Sequence, residues 1–374
     1  MRSFDDRLKE VGGFGPGFDL VRLVLCYLVL VWHCWVIGVG SMRPGVGSQA
    51  WILFELMVPM FFALSGFLVA GSSLRLAAPA FLVNRTLRIF PALWAAVLLA
   101  AFVIGPAMTV LPLSEYFTSP KFFAYLLNLV AITQYLLPEV FSHGAVNGSL
   151  WTVPWEILCY LLMTSVMVSG LSRRGGLFLG VSLIWLAAAV VYHAVGAPAD
   201  ATGLMLRAMR FGLTQQGSLL IPYFLSGAAL YHMRAHIPWD WRIAGGFVLA
   251  LALVSLFVDG LAWSKTPLLA LLALVPSIYL VAYFGLLRLS RPPGFRRGDY
   301  SYGVYVCHFP IVMAINAIWQ FADWRLLLLA SLAPVTLFAM ASWHLVESPV
   351  LAQRKKYSLV GRRIVDAQRE TGAG

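Results

Sequence analysis

Three ionisable side chains lie in one apolar stretch near the start of the chain. Arg22 and His33 are eleven residues apart, close to three α-helical turns, so both should lie on one helix face about 16 Å apart along the axis. Asp19 precedes Arg22 by one turn on that face. Charged groups at membrane depth usually face a bundle interior or a water-filled cavity. The spacing predicts a functional cation and imidazole; the alternative is a snorkelling arginine and a histidine bonded to a neighbouring helix.

A pair of arginines precedes the third apolar run. Arg85 and Arg88 are three residues apart, so they stand side by side on a helix that is about to enter the membrane. Two guanidinium groups on one face suit a phosphate, because each presents a fork of N–H donors. Anchoring of the loop by positive charge explains the same pair, and both interpretations stay open.

Three further apolar runs carry polar side chains. Ser65 is followed by a glycine and permits close approach of a second helix, so packing is its simpler interpretation. Glu156 lies inside the run that begins at 149 and offers a carboxylate at the mouth of the bundle. Ser301, Tyr305 and His308 follow one another at spacings of four and three, which predicts one polar stripe on a helix face.

The composition is that of an integral membrane protein. Of the 374 residues, 60% are hydrophobic and 11% are charged, whereas a soluble domain carries about 25% charged residues. The mean hydropathy is +0.81. The four cysteines all lie in apolar runs, where they behave as small hydrophobic residues and predict neither a disulfide framework nor a metal site.

Apolar runs of membrane length recur along the chain, and they predict an all-α bundle of about ten transmembrane helices. The runs are 18–38, 51–71, 89–110, 149–170, 177–196, 217–233, 243–260, 266–287, 301–321 and 325–347. Most Lys and Arg residues fall in one set of loops and at the two ends of the chain, so the positive-inside rule places both termini in the cytoplasm. The net charge of +11 then reports topology and attraction to membrane lipid, and no nucleic-acid partner is predicted.

One further apolar segment does not fit this scheme. Residues 122–137 are interrupted by Asn128 and Gln134 and end at Pro138, and counting them as a span would reverse every later loop. They are predicted to form a re-entrant or interfacial piece sheltered by protein. The chain is thus divided into a membrane domain over 1–350 and a short basic cytoplasmic tail over 351–374.

Taken in order, these segments resemble the acyltransferase-3 family of integral membrane acyltransferases, which includes bacterial O-antigen and exopolysaccharide O-acetyltransferases. The likeness covers nearly the whole chain. The motifs that carry it are Arg22 and His33 as Arg-x10-His, the block Phe61-Phe62-Ala63-Leu64-Ser65-Gly66-Phe67, Arg85-x-x-Arg88 before Ile89-Phe90-Pro91, Ser149-Leu150-Trp151-Thr152 with Glu156, Ser301-Tyr302 with Tyr305 and His308-Phe309-Pro310, and Glu347-x-Pro349.

The resemblance implies a multi-pass enzyme of the bacterial inner membrane. Its donor would be cytoplasmic acyl-coenzyme A, with acetyl as the leading acyl group, and its acceptor a hydroxyl of an envelope or exported glycan or glycolipid. No metal is implied. The residues assigned to catalysis are His33, Asp19 and Glu156. The residues assigned to donor binding are Arg22, Arg85, Arg88, Ser65, Tyr305 and His308.

Two questions stay open at the level of sequence. His33 could act as a general base or become acylated itself. Intramembrane Arg, His and Glu also suit a proton-coupled transporter or a flippase of a lipid-linked sugar. Against this alternative, the two halves of the chain show no corresponding pair of broken helices, which inverted-repeat transporters usually have.

Overall fold

The computed structural model describes residues 2–13, 15–40, 51–195, 203–214, 216–258 and 267–353. Within these ranges the chain forms helices and isolated β-bridges but no β-strand, which confirms the predicted all-α fold class. The α-helices are α1 Phe4–Glu10, α2 Phe18–Val39, α3 Trp51–Ser73, α4 Ala78–Leu99, α5 Gly105–Met108, α6 Leu113–Thr118, α7 Pro120–Leu126, α8 Val153–Val168, α9 Gly175–Val195, α10 Leu204–Thr214, α11 Leu220–Met233, α12 Trp241–Phe257, α13 Pro267–Gly285, α14 Ser301–Trp319, α15 Trp324–Ser342 and α16 Ser348–Ala352.

Among the described residues, seven helical stretches are long and apolar enough to cross a membrane. They are Phe18–Val39, Trp51–Ser73, Ala78–Met108, Gly148–Val168, Gly175–Val195, Ser301–Trp319 and Trp324–Ala352. Such segments become helical because lipid offers no hydrogen-bond partner to the backbone. Each overlaps a predicted run, although the third begins at Ala78, eleven residues before the run 89–110, and the chain is a multi-pass membrane protein. The remaining three predicted runs overlap the shorter helices α11, α12 and α13. The count of about ten crossings and the cytoplasmic termini stay predictions.

The segment 122–137 does not form a membrane-length helix. Helix α7 has 7 residues, about 10 Å at 1.5 Å per residue, and a 3-10 turn follows it at Leu127–Val130. The amide of Asn128, which is 1% exposed, then donates to the carbonyls of Tyr125 and Gln134 and accepts from the backbone N–H of Gln134. Asn128 therefore holds the chain in a turn, in agreement with the prediction that this segment is not a spanning helix.

The chain divides into two compact units. The first unit comprises Met1–Leu25, Gly45–Arg75 and Ser165–Arg291; the second comprises Cys26–Pro44, Leu76–Thr164 and Pro292–Gly374. Helix α2 begins in the first unit and continues in the second. The predicted basic tail over 351–374 lies outside the described residues from position 354 onward, and the predicted boundary at 350 stays a prediction.

Close packing of two helices forms the centre of the first unit. Helices α3 and α11 cross at Gly66 and Gly227. A Cβ atom on Gly66 would lie 1.9 Å from the carbonyl oxygen of Phe224, and one on Gly227 would lie 2.1 Å from that of Ala63. Both contacts are with backbone atoms, so neither position has room for a side chain. Small residues at such crossings are characteristic of membrane bundles, and packing accounts for the glycine beside Ser65.

Candidate active site

Two histidines meet in the second unit. His33 on α2 and His308 on α14 are joined through Nδ1 of His33 and Nε2 of His308, which are 2.9 Å apart. The edge of the Phe309 ring also contacts the His33 ring, with centroids 5.0 Å apart. His308 is fully buried and His33 is half-buried. The sequence predicted His33 as catalytic and His308 as donor-binding; the structure places the two rings in direct contact.

Each ring also faces a backbone carbonyl one helical turn earlier. Nδ1 of His33 lies 3.1 Å from the carbonyl oxygen of Val29. Nδ1 of His308 lies 3.0 Å from that of Val304. Three of the four ring nitrogens are thus engaged, and the described residues provide no hydrogen-bond partner for the fourth, Nε2 of His33. This nitrogen is the one available to a substrate.

A proline and an asparagine fix the part of α14 that carries His308. Pro310 has no N–H, so the carbonyl of Val306, four residues earlier, lacks its helical hydrogen bond. The side chain of Asn147 donates to this carbonyl at 2.8 Å and is itself fully buried. Its Oδ1 accepts from the hydroxyl and the backbone N–H of Ser149. The loop before α8 therefore holds the segment of α14 that carries His308.

The adjacent glycine brings this loop against the histidines. A Cβ atom on Gly148 would lie 2.7 Å from the ring of Phe309, the residue that packs on His33. The motif that begins at Ser149 carries part of the family resemblance, but no function was predicted for Asn147. A signal for it was present, because a proline inside an apolar helix leaves a carbonyl that some nearby donor must satisfy.

We expect Asn147 and Pro310 to be energetically coupled. Asn147→Ala leaves the buried Val306 carbonyl without its donor and should destabilise the protein by about 1–3 kcal/mol. In a Pro310→Ala background the helix N–H is restored, so the same Asn147 substitution should cost less. Thermal unfolding of the two single variants and the double variant in detergent measures this coupling. Strictly additive effects would show that Asn147 does not act through the carbonyl.

Glu156 lies in a group of hydroxyl side chains on α8, on the 3-10 turn Gly148–Thr152 before it and on α14. The hydroxyl of Tyr160 donates to Oε1 of Glu156 at 2.6 Å. Thr152 and Tyr305 share a hydrogen bond at 2.8 Å between their hydroxyl oxygens. Tyr302, one turn before Tyr305, has a buried hydroxyl with no hydrogen-bond partner among the described residues. The predicted carboxylate at this position is therefore accompanied by several phenols.

Arg88 is held between two carboxylates. Its Nη2 donates to Oδ2 of Asp299 at 2.8 Å, and its Nη1 lies 3.7 Å from Oε2 of Glu347. Asp299 also accepts from the hydroxyl of Ser301 at the start of α14, and Glu347 from that of Ser342. Glu347 sits in a π-helical turn, Trp343–Glu347, that joins α15 to α16. Arg88 therefore connects α4 to the start of α14 and to the π-helical turn after α15. Asp299 is a member of this network that the sequence did not suggest.

Arg85 lies one turn before Arg88 on α4 and has a different environment. Its guanidinium carbon is 5.5 Å from the ring centroid of Phe81 and 5.8 Å from that of Tyr160. An arginine over aromatic rings is positioned by cation–π attraction. The two arginines that look equivalent in sequence therefore differ in structure.

The remaining predicted site residues belong to the first unit. Asp19 accepts a hydrogen bond from Arg22, three residues later as the sequence predicted, and its other oxygen lies 3.5 Å from Nη2 of Arg291. Ser65 precedes the glycine at the crossing of α3 and α11. The catalytic assignment of Asp19 and the donor-binding assignments of Arg22 and Ser65 stay predictions.

Comparison with known proteins supplies the family. A family model described as an Acyltransferase domain matches residues 16–344. "Nodulation protein 10" of Rhizobium leguminosarum bv. viciae is 28% identical over 95% of this chain and 98% of its own length. The "O-acetyl transferase" of Shigella phage Sf6 is 26% identical over 90% of this chain and 96% of its own length. No solved structure matches. The chain therefore belongs to the acyltransferase family that its motifs resemble, and it is a membrane acyltransferase.

Proposed function

We propose that this protein is an O-acetyltransferase that moves an acetyl group from acetyl-coenzyme A to a hydroxyl of a cell-envelope or exported glycan. The observation that carries the proposal is the His33–His308 pair within a domain that matches the acyltransferase family over residues 16–344. The printed name of the phage relative, "O-acetyl transferase", supports acetyl as the acyl group and oxygen as the acceptor atom.

The proposed reaction uses Nε2 of His33 as the proton acceptor. The acceptor hydroxyl attacks the thioester carbonyl while its proton moves to Nε2. The new C–O ester bond forms, the C–S bond breaks, and the proton then passes from His33 to the departing thiolate of coenzyme A. Every atom is accounted for without an oxidant or a metal. In the alternative sequence His33 takes the acetyl group first and the hydroxyl attacks the acyl-imidazole.

The other predicted site residues are candidates for binding the substrates. Arg85, whose guanidinium group lies over the rings of Phe81 and Tyr160, stays the candidate for the donor phosphates because its N–H donors match phosphate oxygens. Arg88 is engaged by Asp299 and Glu347, so we propose that it positions the helices instead of binding phosphate. Glu156 and Tyr305 offer a carboxylate and a phenol to the sugar or to the thioester arm. Arg22 stays a candidate for the donor on the strength of its spacing from His33.

The proposed location is the bacterial inner membrane, with both termini and the donor on the cytoplasmic side. The sequence left a proton-coupled transporter or flippase of a lipid-linked sugar as the alternative. Membership of an acyltransferase family favours group transfer over transport. A carrier would move a glycan unchanged, whereas the proposed enzyme forms one ester and releases one molecule of coenzyme A for each turnover.

Sealed vesicles containing the purified protein in a known orientation test the proposal. Acetyl-coenzyme A with a labelled acetyl group is placed on the face that carries the termini, and a panel of bacterial envelope polysaccharides on the other. We expect equal amounts of free coenzyme A and of base-labile acetyl ester on one of the polysaccharides. Heat-denatured protein serves as the control. Translocation of a lipid-linked sugar without release of coenzyme A would contradict the enzyme and support the carrier.

A further inference from the structure

The hydrogen bonds of the paired histidines indicate where their protons lie. A backbone carbonyl oxygen only accepts, so the ring nitrogen that faces it must carry hydrogen. Nδ1 of His308 faces the carbonyl of Val304, and Nδ1 of His33 faces that of Val29. In a neutral imidazole one nitrogen is a donor and the other an acceptor. Neutral His308 therefore has a lone pair on Nε2, which accepts from Nδ1–H of His33 at 2.9 Å.

We infer that His308 is a positioning residue that holds His33 in the tautomer with its lone pair on Nε2. The catalytic part of this inference rests on the proposed function, whereas the tautomer follows from the hydrogen bonds alone. In this arrangement Nδ1–H of His308 donates to the Val304 carbonyl, and Nδ1–H of His33 donates to Nε2 of His308. The lone pair on Nε2 of His33 is then the atom that takes a proton or an acetyl group.

The opposite proton order is unfavourable at two places. If Nε2 of His308 donated to His33, neutral His308 would present the lone pair of Nδ1 to the Val304 carbonyl oxygen at 3.0 Å. His33 would likewise present the lone pair of Nδ1 to the Val29 carbonyl at 3.1 Å. Two acceptors would then face each other at hydrogen-bond distance in buried surroundings, where such mismatches cost most.

The same contacts strengthen when His33 gains a proton. The imidazolium has N–H groups at both nitrogens, so Nδ1–H remains bonded to Nε2 of His308 and to the Val29 carbonyl while the charge forms on the ring. Hydrogen bonds to a charged donor are roughly twice as strong as neutral ones. His308 thus orients the base before the reaction and stabilises its cation during the reaction, and Asn147 keeps the segment that carries His308 in place.

Three substitutions of His308 separate this role from simple packing. Gln places an amide oxygen near the position of Nε2 and can still accept from His33, whereas the shorter Asn reaches only the position of Nδ1 and Leu accepts nothing. We expect His308→Leu and His308→Asn to lower kcat by about 10²-fold with KM for acetyl-coenzyme A nearly unchanged. His308→Gln should recover most of kcat. Equal activity in all three folded variants would overturn the inference.

A spectroscopic measurement tests the tautomer without relying on activity. In membrane-reconstituted protein carrying 15N-labelled histidine, we expect the Nδ1 signal of His33 at the shift of a protonated nitrogen and the Nε2 signal at that of an unprotonated one. Comparison with His33→Gln assigns these signals. His308→Leu should mix the two tautomers of His33, and His308→Gln should not. Protonated Nε2 in the neutral ring would overturn the inference. A wild-type protein with the expected signals but no acetyl transfer would instead contradict the proposed function alone.

Discussion

Replacing His33 with alanine is expected to lower the rate of acetyl transfer by about 10²- to 10⁴-fold, the range for loss of a positioned acid–base group. The protein should remain folded, because the side chain is half-buried and contributes a contact with Phe309 and a hydrogen bond to His308. Release of coenzyme A, measured in the presence of the acceptor glycan, reports the rate. Thermal unfolding in detergent reports the fold.

A matched control comes from another histidine near a helix end. His193 lies in the last turn of α9 and is exposed, so His193→Ala should leave both the rate and the unfolding temperature close to those of the wild type. Near-normal transfer by a folded His33→Ala protein would remove His33 from the mechanism. If His33→Ala does not fold, His33→Gln tests the same loss of rate, because glutamine keeps much of the side-chain volume.

The two proposed roles of His33, general base and acetylated residue, differ in whether the acetyl group becomes attached to the protein. If His33 becomes acetylated, rapid acid quenching of the protein mixed with labelled acetyl-coenzyme A alone should leave label on the protein, and the label should be absent in His33→Ala. If His33 is a general base, the label should stay on coenzyme A until acceptor is added. Both routes use Nε2, because Nδ1 is engaged by the Val29 carbonyl and His308.

The sequence predicted the elements of this fold well because lipid imposes a simple constraint. A membrane-length apolar run must be helical, so α2, α3 and α14 could be placed within a few residues. Asn128 and Gln134 likewise indicated that 122–137 is not a spanning helix, and the structure shows the hydrogen bonds that Asn128 makes there. These inferences depend on residues close together in the chain.

The pairing of site residues depends instead on contacts distant in sequence. His33 and His308 are 275 positions apart, and nothing in local spacing indicates that Nδ1 of one meets Nε2 of the other. The Arg88–Asp299 pair spans 211 positions. A basic pair beside an apolar run suits a phosphate or a carboxylate equally well, since a guanidinium group binds both. Only the fold distinguishes Arg85 from Arg88.

Replacing Arg88 with methionine is expected to destabilise the protein by about 3–5 kcal/mol, the usual effect of removing one partner from a buried ion pair. The substitution leaves the carboxylates of Asp299 and Glu347 without the cation that lies between them. Glu347 is 1% exposed, so water cannot replace that cation. Arg85→Met is the matched control, because Arg85 lies one turn earlier on the same helix and packs over aromatic rings. We expect this variant to act chiefly on KM for the donor.

Neutralising the whole network separates positioning from phosphate binding. In the triple variant Arg88→Met, Asp299→Asn and Glu347→Gln no charge is left unpaired, so most of the lost stability should return, as buried ion pairs replaced entirely by neutral residues often cost little. Unfolding in detergent compares the single and triple variants, and binding of acetyl-coenzyme A by the folded proteins gives the second readout. If Arg88→Met is as stable as the wild type but binds the donor at least 10-fold more weakly, Arg88 is a phosphate ligand and its contacts with Asp299 and Glu347 are secondary. If the triple variant is stable and still binds the donor, the arginine serves the arrangement of α4, α14 and the π-helical turn, and donor phosphates are bound elsewhere.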